Sequence, residues 1–307
     1  MLSPIDEIIS NLINQDEAPA NSRLTELTNM DSAALEHFKE VWPTIELRQR
    51  QQIVSRLVEL AENNFELDFD NIFKNCLGDQ DAEVRSKAIE GLWENEEPSL
   101  INTLLNLFEH DSSEAVQAAA ASALGRFVML AEHQKLRRSY RAKIYQTLLA
   151  TIKDNSQSLE VKRRALEAIA PMDSPEVARA ISEAYHHGHP KLKVSSIYAM
   201  GKNCNPAWLP LLLKELASAE AEIRYEAAAA CGEIGEEEAA PHLIELVDDK
   251  DIEVQLAAIR ALSKIGGTEA KNCLEQCLDD DNETIEQAAE QALYELNEGE
   301  EPLSFSL

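Results

Sequence analysis

The 307-residue chain carries 28 Lys and Arg against 56 Asp and Glu, a formal net charge of −28, with 44% apolar but only 5% aromatic residues. A surface this acidic repels phosphate backbones and anionic lipid, which argues against generic nucleic-acid or membrane binding. The apolar share is ample for a core, and its poverty in aromatics suits helix interfaces filled by Ala and Leu.

The five cysteines (Cys76, Cys204, Cys231, Cys273, Cys277) are odd in number and stand mostly at apolar helix positions. A reduced thiol there acts as a small hydrophobe, so a cytoplasmic, reducing setting is expected. The opening MLSPIDEIISNLINQDEAP has neither a basic leader nor a sustained apolar core, so no signal peptide is expected. No apolar run approaches the length of a membrane span.

Residues 1–20 offer one short amphipathic segment, Ile5, Ile8, Ile9 and Leu12, followed by the polar NQDEAPAN. They read as a terminal helix and a flexible joint. Asp31 is placed to cap a helix carrying Leu35, Phe38, Val41 and Trp42, which Pro43 ends. A second helix is expected over residues 46–63, with Ile53, Val54, Leu57, Val58 and Leu60 as its stripe. This pair stands off the spacing that governs the rest of the chain, and residues 1–65 read as an N-terminal helical cap.

From Phe69 onward one frame recurs. With Ile223 as anchor, small or apolar residues stand four, seven and eight positions on (Ala227, Ala230, Cys231), sharing one helix face, and Gly232 and Gly235 close the run. The equivalent anchors are Val84, Val116, Val161, Leu192, Val254 and Ile285, giving seven copies spaced 32, 45, 31, 31, 31 and 31 residues apart. A Leu- and Ile-rich first helix precedes each anchor, as in SLINTLLNLF and WLPLLLKEL, with an acidic or polar turn between. Such a unit has two apolar faces and buries only one against its own partner helix, so a fixed period means stacked helical hairpins, here over residues 66–296. Asp81, Ser113, Ser158, Asp251 and Asn282 lie three residues before their anchors, where a side-chain oxygen caps the second helix. Arg85, Lys162, Lys193 and Arg224 follow their anchors directly and are expected to pair with acidic turns of the neighbouring repeat.

The 45-residue spacing holds an insertion near residues 129–144, in which Lys135, Arg137, Arg138, Arg141 and Lys143 stand against Glu132. A basic patch in so acidic a chain meets an acidic partner or docks on the protein's own acidic turns. Residues 297–307, NEGEEPLSFSL, are expected to form a flexible tail; Leu303, Phe305 and Leu307 either dock as a peptide or fray.

The pattern Asp-x-x-Val-Arg-x-x-Ala-x-x-Ala-Leu-Gly behind a Leu-rich helix is clearest at Asp81-Ala-Glu-Val84-Arg85, His189-Pro190-Lys-Leu192-Lys193 and Glu222-Ile223-Arg224. It resembles the short HEAT-like repeats named after phycobilisome lyases, and the whole chain resembles uncharacterised bacterial HEAT-repeat proteins. The resemblance implies an all-α, right-handed α-α superhelix, a HEAT-like α-solenoid of about seven regular repeats plus the capping hairpin, with second helices lining a concave face.

Positions two, six and nine after each anchor point away from the apolar stripe and so into that face. They include Trp93, Arg163, Val194, Tyr198, Tyr225, Leu256 and Arg260. Aromatic and apolar groups beside arginines have the composition of a binding hot spot, with burial in a curled stack as the alternative. The expected function is a monomeric, non-enzymatic scaffold or adaptor that holds a protein partner and needs no cofactor. The resemblance also implies a bilin-lyase-like chromophore-attachment factor or, more remotely, a metal-dependent oxidoreductase of the HEAT-repeat hydroxylase type. Those hydroxylases use His-Glu pairs, and no His-Glu dipeptide occurs here. The remaining metal candidate is His186, His187 and His189, three imidazoles on a turn with no fourth ligand in view. Cys273 and Cys277 stand four apart on one helix, as half a metal site or as core. The sequence holds no phosphate-binding glycine loop, nucleophile elbow or catalytic triad cluster.

Overall fold

The computed structural model describes residues 8–9 and 20–300, with side chains to residue 297. Ile5, Leu12 and the tail positions Leu303, Phe305 and Leu307 lie outside the described residues. All regular structure among the described residues is helical. A short helix α1 (Asn21–Leu24) leads into the first hairpin, α2 (Ser32–Val41) and α3 (Leu47–Asn63). The first three repeats pair α4 (Asp70–Cys76) with α5 (Ala82–Gly91), α6 (Leu100–His110) with α7 (Glu114–Glu132), and α8 (Arg138–Lys153) with α9 (Leu159–Ile169). The next two pair α10 (Pro175–His186) with α11 (Pro190–Asn203) and α12 (Leu209–Glu215) with α13 (Ala221–Ile234). The last two pair α14 (Ala240–Leu246) with α15 (Ile252–Ile265) and α16 (Gly267–Gln276) with α17 (Glu283–Glu300). The architecture is the expected all-α, HEAT-like stack, and it forms two compact units that meet in sequence between Ala168 and Ile169.

All seven anchors are buried, as are the residues four positions on, so the repeating frame is the core. Each fully buried Val, Ile or Leu stabilises the fold by about 1.5–3 kcal/mol. Helix starts follow the side-chain oxygens. Asp31 Oδ1 accepts from the Ala33 and Ala34 amides at 3.0 and 2.9 Å, and Asp81 and Asp251 cap α5 and α15 in the same way. Ser158 and Asn282 cap as well, but Ser113 does not: its own amide donates to Asp111 Oδ1 at 2.8 Å, and its side chain makes no cap bond.

At three junctions the basic residue after the anchor links consecutive repeats, whereas Lys162 makes no ion pair among the described residues. Arg85 grips Asp111 in the next repeat's turn through Nε and Nη2 at 2.8 and 2.7 Å, while its Nη1 donates to the Asp79 and Gln80 carbonyls. In the second unit Arg224 grips Asp249 at 2.7 and 2.8 Å and donates to the Ser218 and Ala219 carbonyls. Lys193 makes the analogous link to Glu215 at 2.7 Å, and the Tyr185 hydroxyl donates to the same carboxylate. The capping hairpin docks on the first repeat by related means. Trp42 Nε1 donates to the buried Asp79 at 2.7 Å, and Arg50 lies 3.4 Å from that carboxylate.

Second helices approach on small residues. A methyl added at Gly232 would stand 2.7 Å from Ala261 Cα, and one at Gly201 would stand 2.7 Å from Ala230 Cα. These glycines, nine positions after their anchors, pack on the next helix rather than facing an open surface.

Because backbone blocks that methyl, Gly232→Ala should destabilise the second unit by about 1–3 kcal/mol, whereas a methyl at Gly125 meets nothing closer than 3.3 Å. Urea titrations in which Gly232→Ala costs no more than Gly125→Ala would contradict the packing described here.

Hydrogen bonds from Arg224 hold the Asp249 carboxyl below the usual carboxylate range against the opposing effect of burial. Its unfolded value is about 3.9, so the stability it adds is fully present above that pH and is lost as pH falls toward the lower folded value. Between pH 6 and pH 3 wild type should therefore lose more unfolding free energy than Asp249→Asn, which has no carboxyl to titrate there. Equal losses in the two proteins would count against a depressed pKa at this site.

Candidate functional site

In the second unit, α13, α15 and α17 enclose an open groove of about 370 Å³. Ala229, Ala257 and Ala261 supply an apolar floor, and Tyr225, Arg260 and Lys264 stand at its edges. Arg260 is exposed, and its guanidinium makes no ion pair or hydrogen bond among the described residues. On the neighbouring α11, Tyr198 is 38% exposed, and Lys202 Nζ sits 5.7 Å from its ring centroid. Glu233 bridges Lys202 and Lys264 at 3.1 and 2.9 Å. Burial would raise the Glu233 carboxyl, but the bonds from Lys264 and Lys202 outweigh it and hold the group below its ordinary range.

The expected row of outward residues is therefore only partly exposed. Tyr198, Tyr225 and Arg260 line or border the face, but Val194 and Leu256 are buried at 8% and 9% exposure. Glycine-to-alanine contact brings α11, α13 and α15 close together, and Val194 and Leu256 are covered there, while Tyr225 at the same offset stays half-buried. In the first unit Trp93 is 49% exposed, while Arg163 is engaged by Glu160 at 2.6 Å and Glu167 at 3.8 Å along its own helix.

Much of the basic insertion lengthens α7 and opens α8, and residues 133–137 form the turn between them. Lys135, Arg137 and Arg138 are exposed at that corner, whereas Arg141 pairs with Glu132 at 3.0 Å and Lys143 bonds Asn102 at 3.1 Å. The histidines do not converge. His186 Nδ1 donates to the Ser182 carbonyl at 2.8 Å, His187 is exposed, and His189 sits at the N-cap of α11. No group of three or more His, Cys, Asp or Glu side chains suited to a metal ion occurs among the described residues. Among the same residues no helix is long and apolar enough to cross a membrane.

A family model for HEAT repeats matches residues 71–151 and 209–294, together more than half of the chain. The chain belongs to the HEAT-repeat family. Two solved structures illustrate how widely the fold is shared. The complex of CpcE and CpcF of phycocyanin lyase from Nostoc sp. PCC7120 is 17% identical with a TM-score of 0.52, over 92% of this chain and 99% of that one. The Kap95:Nup1 complex is 12% identical with a TM-score of 0.51, over 95% of this chain and 46% of that one. No curated protein matches the sequence.

Within the HEAT repeats one column of mostly charged residues escapes a reading of positions two, six and nine. It lies ten after the anchor and reads Glu94, Arg126, Pro171, Lys202, Glu233, Lys264 and Glu295. Through most of the second unit its sign alternates from repeat to repeat, and the Lys202, Glu233 and Lys264 bridge is the result. That alternation was the available signal.

The five thiols are free, and only Cys204 is exposed. Burial pushes the Cys231 thiol up to about 12, and burial with Asp79 raises Cys76 too. Burial and Glu233 raise Cys204 as well, so it should react with a disulfide reagent more slowly than a free thiol but ahead of the other four. Mass mapping after brief labelling of the folded protein should find Cys204 first; early labelling at Cys76 or Cys231 would contradict their burial.

Proposed function

We propose that this protein is a non-enzymatic scaffold that holds a segment of a protein partner on the second-helix face of its second unit. The supporting observation is the groove itself, where Tyr225 and the unpartnered Arg260 stand beside an alanine floor with Tyr198 on the adjoining helix. Tyrosine and arginine are the residues that most often carry binding energy when a partner desolvates them, and an arginine with no internal partner is free to take a carboxylate or carbonyl. Two structures of similar fold are described as protein complexes, CpcE with CpcF and Kap95 with Nup1. The low identities carry the fold alone, so the reading rests on the groove. The absence of disulfides fits a reducing, cytoplasmic setting.

The triple variant Tyr198→Asp, Tyr225→Asp, Arg260→Glu tests it without disturbing the buried Leu256. Hot-spot truncations cost about 2 kcal/mol or more each, roughly thirtyfold in affinity. Proteins captured from lysate of the source organism on wild type should be depleted at least tenfold on the variant, once circular dichroism has shown equal helicity. The same set captured equally on both would sink the proposal.

A further inference from the structure

The first unit has a groove of its own, about 500 Å³, between α5, α7 and α9. Alanines of α7 line it, and the half-exposed indole of Trp93 forms part of one side. Four charged residues border it: Glu90, Arg126, Glu160 and Arg164. Three of them are neutralised inside the protein. Glu90 pairs with Lys87 at 2.6 Å, and Arg164 pairs with Glu160 at 3.0 Å and Glu167 at 2.9 Å. Glu160 also takes Arg163 at 2.6 Å.

Arg126 is the exception. Its Nη1 is buried without a hydrogen-bond partner, and the side chain forms no ion pair among the described residues. Glu96, Glu94 and Asp70 are near enough to favour its charge but do not bond it, and Asp70 already accepts from Asn95. Its Nε and Nη2 groups are likewise unbonded inside the protein but are not closed off, and the side chain lines the groove, so an acceptor arriving there meets two free donors. The fork of a guanidinium matches a carboxylate, and the alanine-lined groove with its indole offers an apolar seat for what carries it. The acidic groups nearby set a limit: a second carboxylate on the ligand would meet the field of Glu96, Glu94 and Asp70, which act on Arg126 without bonding it.

We infer that this groove holds an extended segment of a protein partner through a single Asp or Glu side chain on Arg126, with a neighbouring apolar side chain packed on Trp93. The inference rests on the protein-binding reading above and names the chemistry that the first unit recognises.

Random heptapeptides displayed on phage, selected on the intact protein, provide the test. The enriched peptides are then synthesised and measured by fluorescence anisotropy against wild type, Arg126→Gln, Trp93→Ala and Tyr225→Asp. Peptides carrying one acidic residue beside an apolar one should bind wild type and lose at least tenfold on Arg126→Gln. Changing the peptide's acidic residue to its amide should cost wild type a similar factor and Arg126→Gln almost nothing. Arg126→Lys, which keeps the charge but loses the fork, should fall between. Arg126 has no internal bond to lose, so thermal melts of Arg126→Gln should match wild type; if it melts early, the amide substitution in the peptide, measured on wild type, still decides. Enriched peptides without a carboxylate, or equal binding to wild type and Arg126→Gln, would overturn the inference. Peptides lost only on Tyr225→Asp would overturn it and leave the second-unit reading standing. No enrichment at all would overturn both.

Discussion

A buried aspartate in the turn of a repeat answers to two neighbours at once. Asp249 receives the Arg224 fork from the preceding repeat, while its Oδ1 also accepts the Asp251 amide at the start of α15 and its carbonyl accepts from Gln255. Asp111 reproduces the set with Arg85, Ser113 and Gln117. Desolvating such a pair offsets much of its attraction, so its net contribution to stability is modest, whereas losing one partner alone costs about 3–5 kcal/mol. What the pair enforces is register. Arginine and aspartate lie 26 residues apart at one junction and 25 at the other. A fork of fixed geometry meets its carboxylate only when the next repeat is offset by one period.

Register in turn fixes which surfaces remain for partners. With anchors aligned, the glycine nine positions on in one repeat meets the alanine seven positions on in the next, as Gly201 meets Ala230 and Gly232 meets Ala261. Helices this close leave no room for a large side chain between them. Alanine therefore lines both grooves, and the larger side chains that border them, such as Trp93, Arg126, Tyr225, Arg260 and Lys264, are the ones offered to a partner under the proposed reading. The constraint that stabilises the stack also sets the lining of both grooves.

The repeat, its anchors, most helix caps and the basic links to acidic turns were legible in the sequence because each depends on residues at fixed local offsets. The candidate faces were less so. Val194 and Leu256 were read as outward because a helical wheel describes one helix alone, and their burial comes from the neighbour's close approach. Arg163 looked available, but glutamates three residues before it and four after it claim its charge. Arg126 was missed for the opposite reason. Its importance lies in the acceptor it lacks, and a lack of that kind is a property of packing, invisible to any pattern of residue types.

The net charge of −28 and the cationic character of Arg126 and Arg260 act over different distances. Charges separated by more than about 8 Å are screened at physiological salt, so the overall acidity shapes approach while individual side chains decide the docked state. On approach, a segment rich in Asp and Glu is repelled; once docked, a segment with no carboxylate leaves the Arg126 guanidinium without an acceptor. A segment suited to both distances is basic or neutral overall and carries an isolated carboxylate flanked by apolar side chains. Because the rim charges Glu90, Glu160 and Arg164 are already paired, they ask little of such a segment. Selectivity in the first unit then falls to the Arg126 guanidinium, which makes no bond among the described residues, and to the indole that shares its groove.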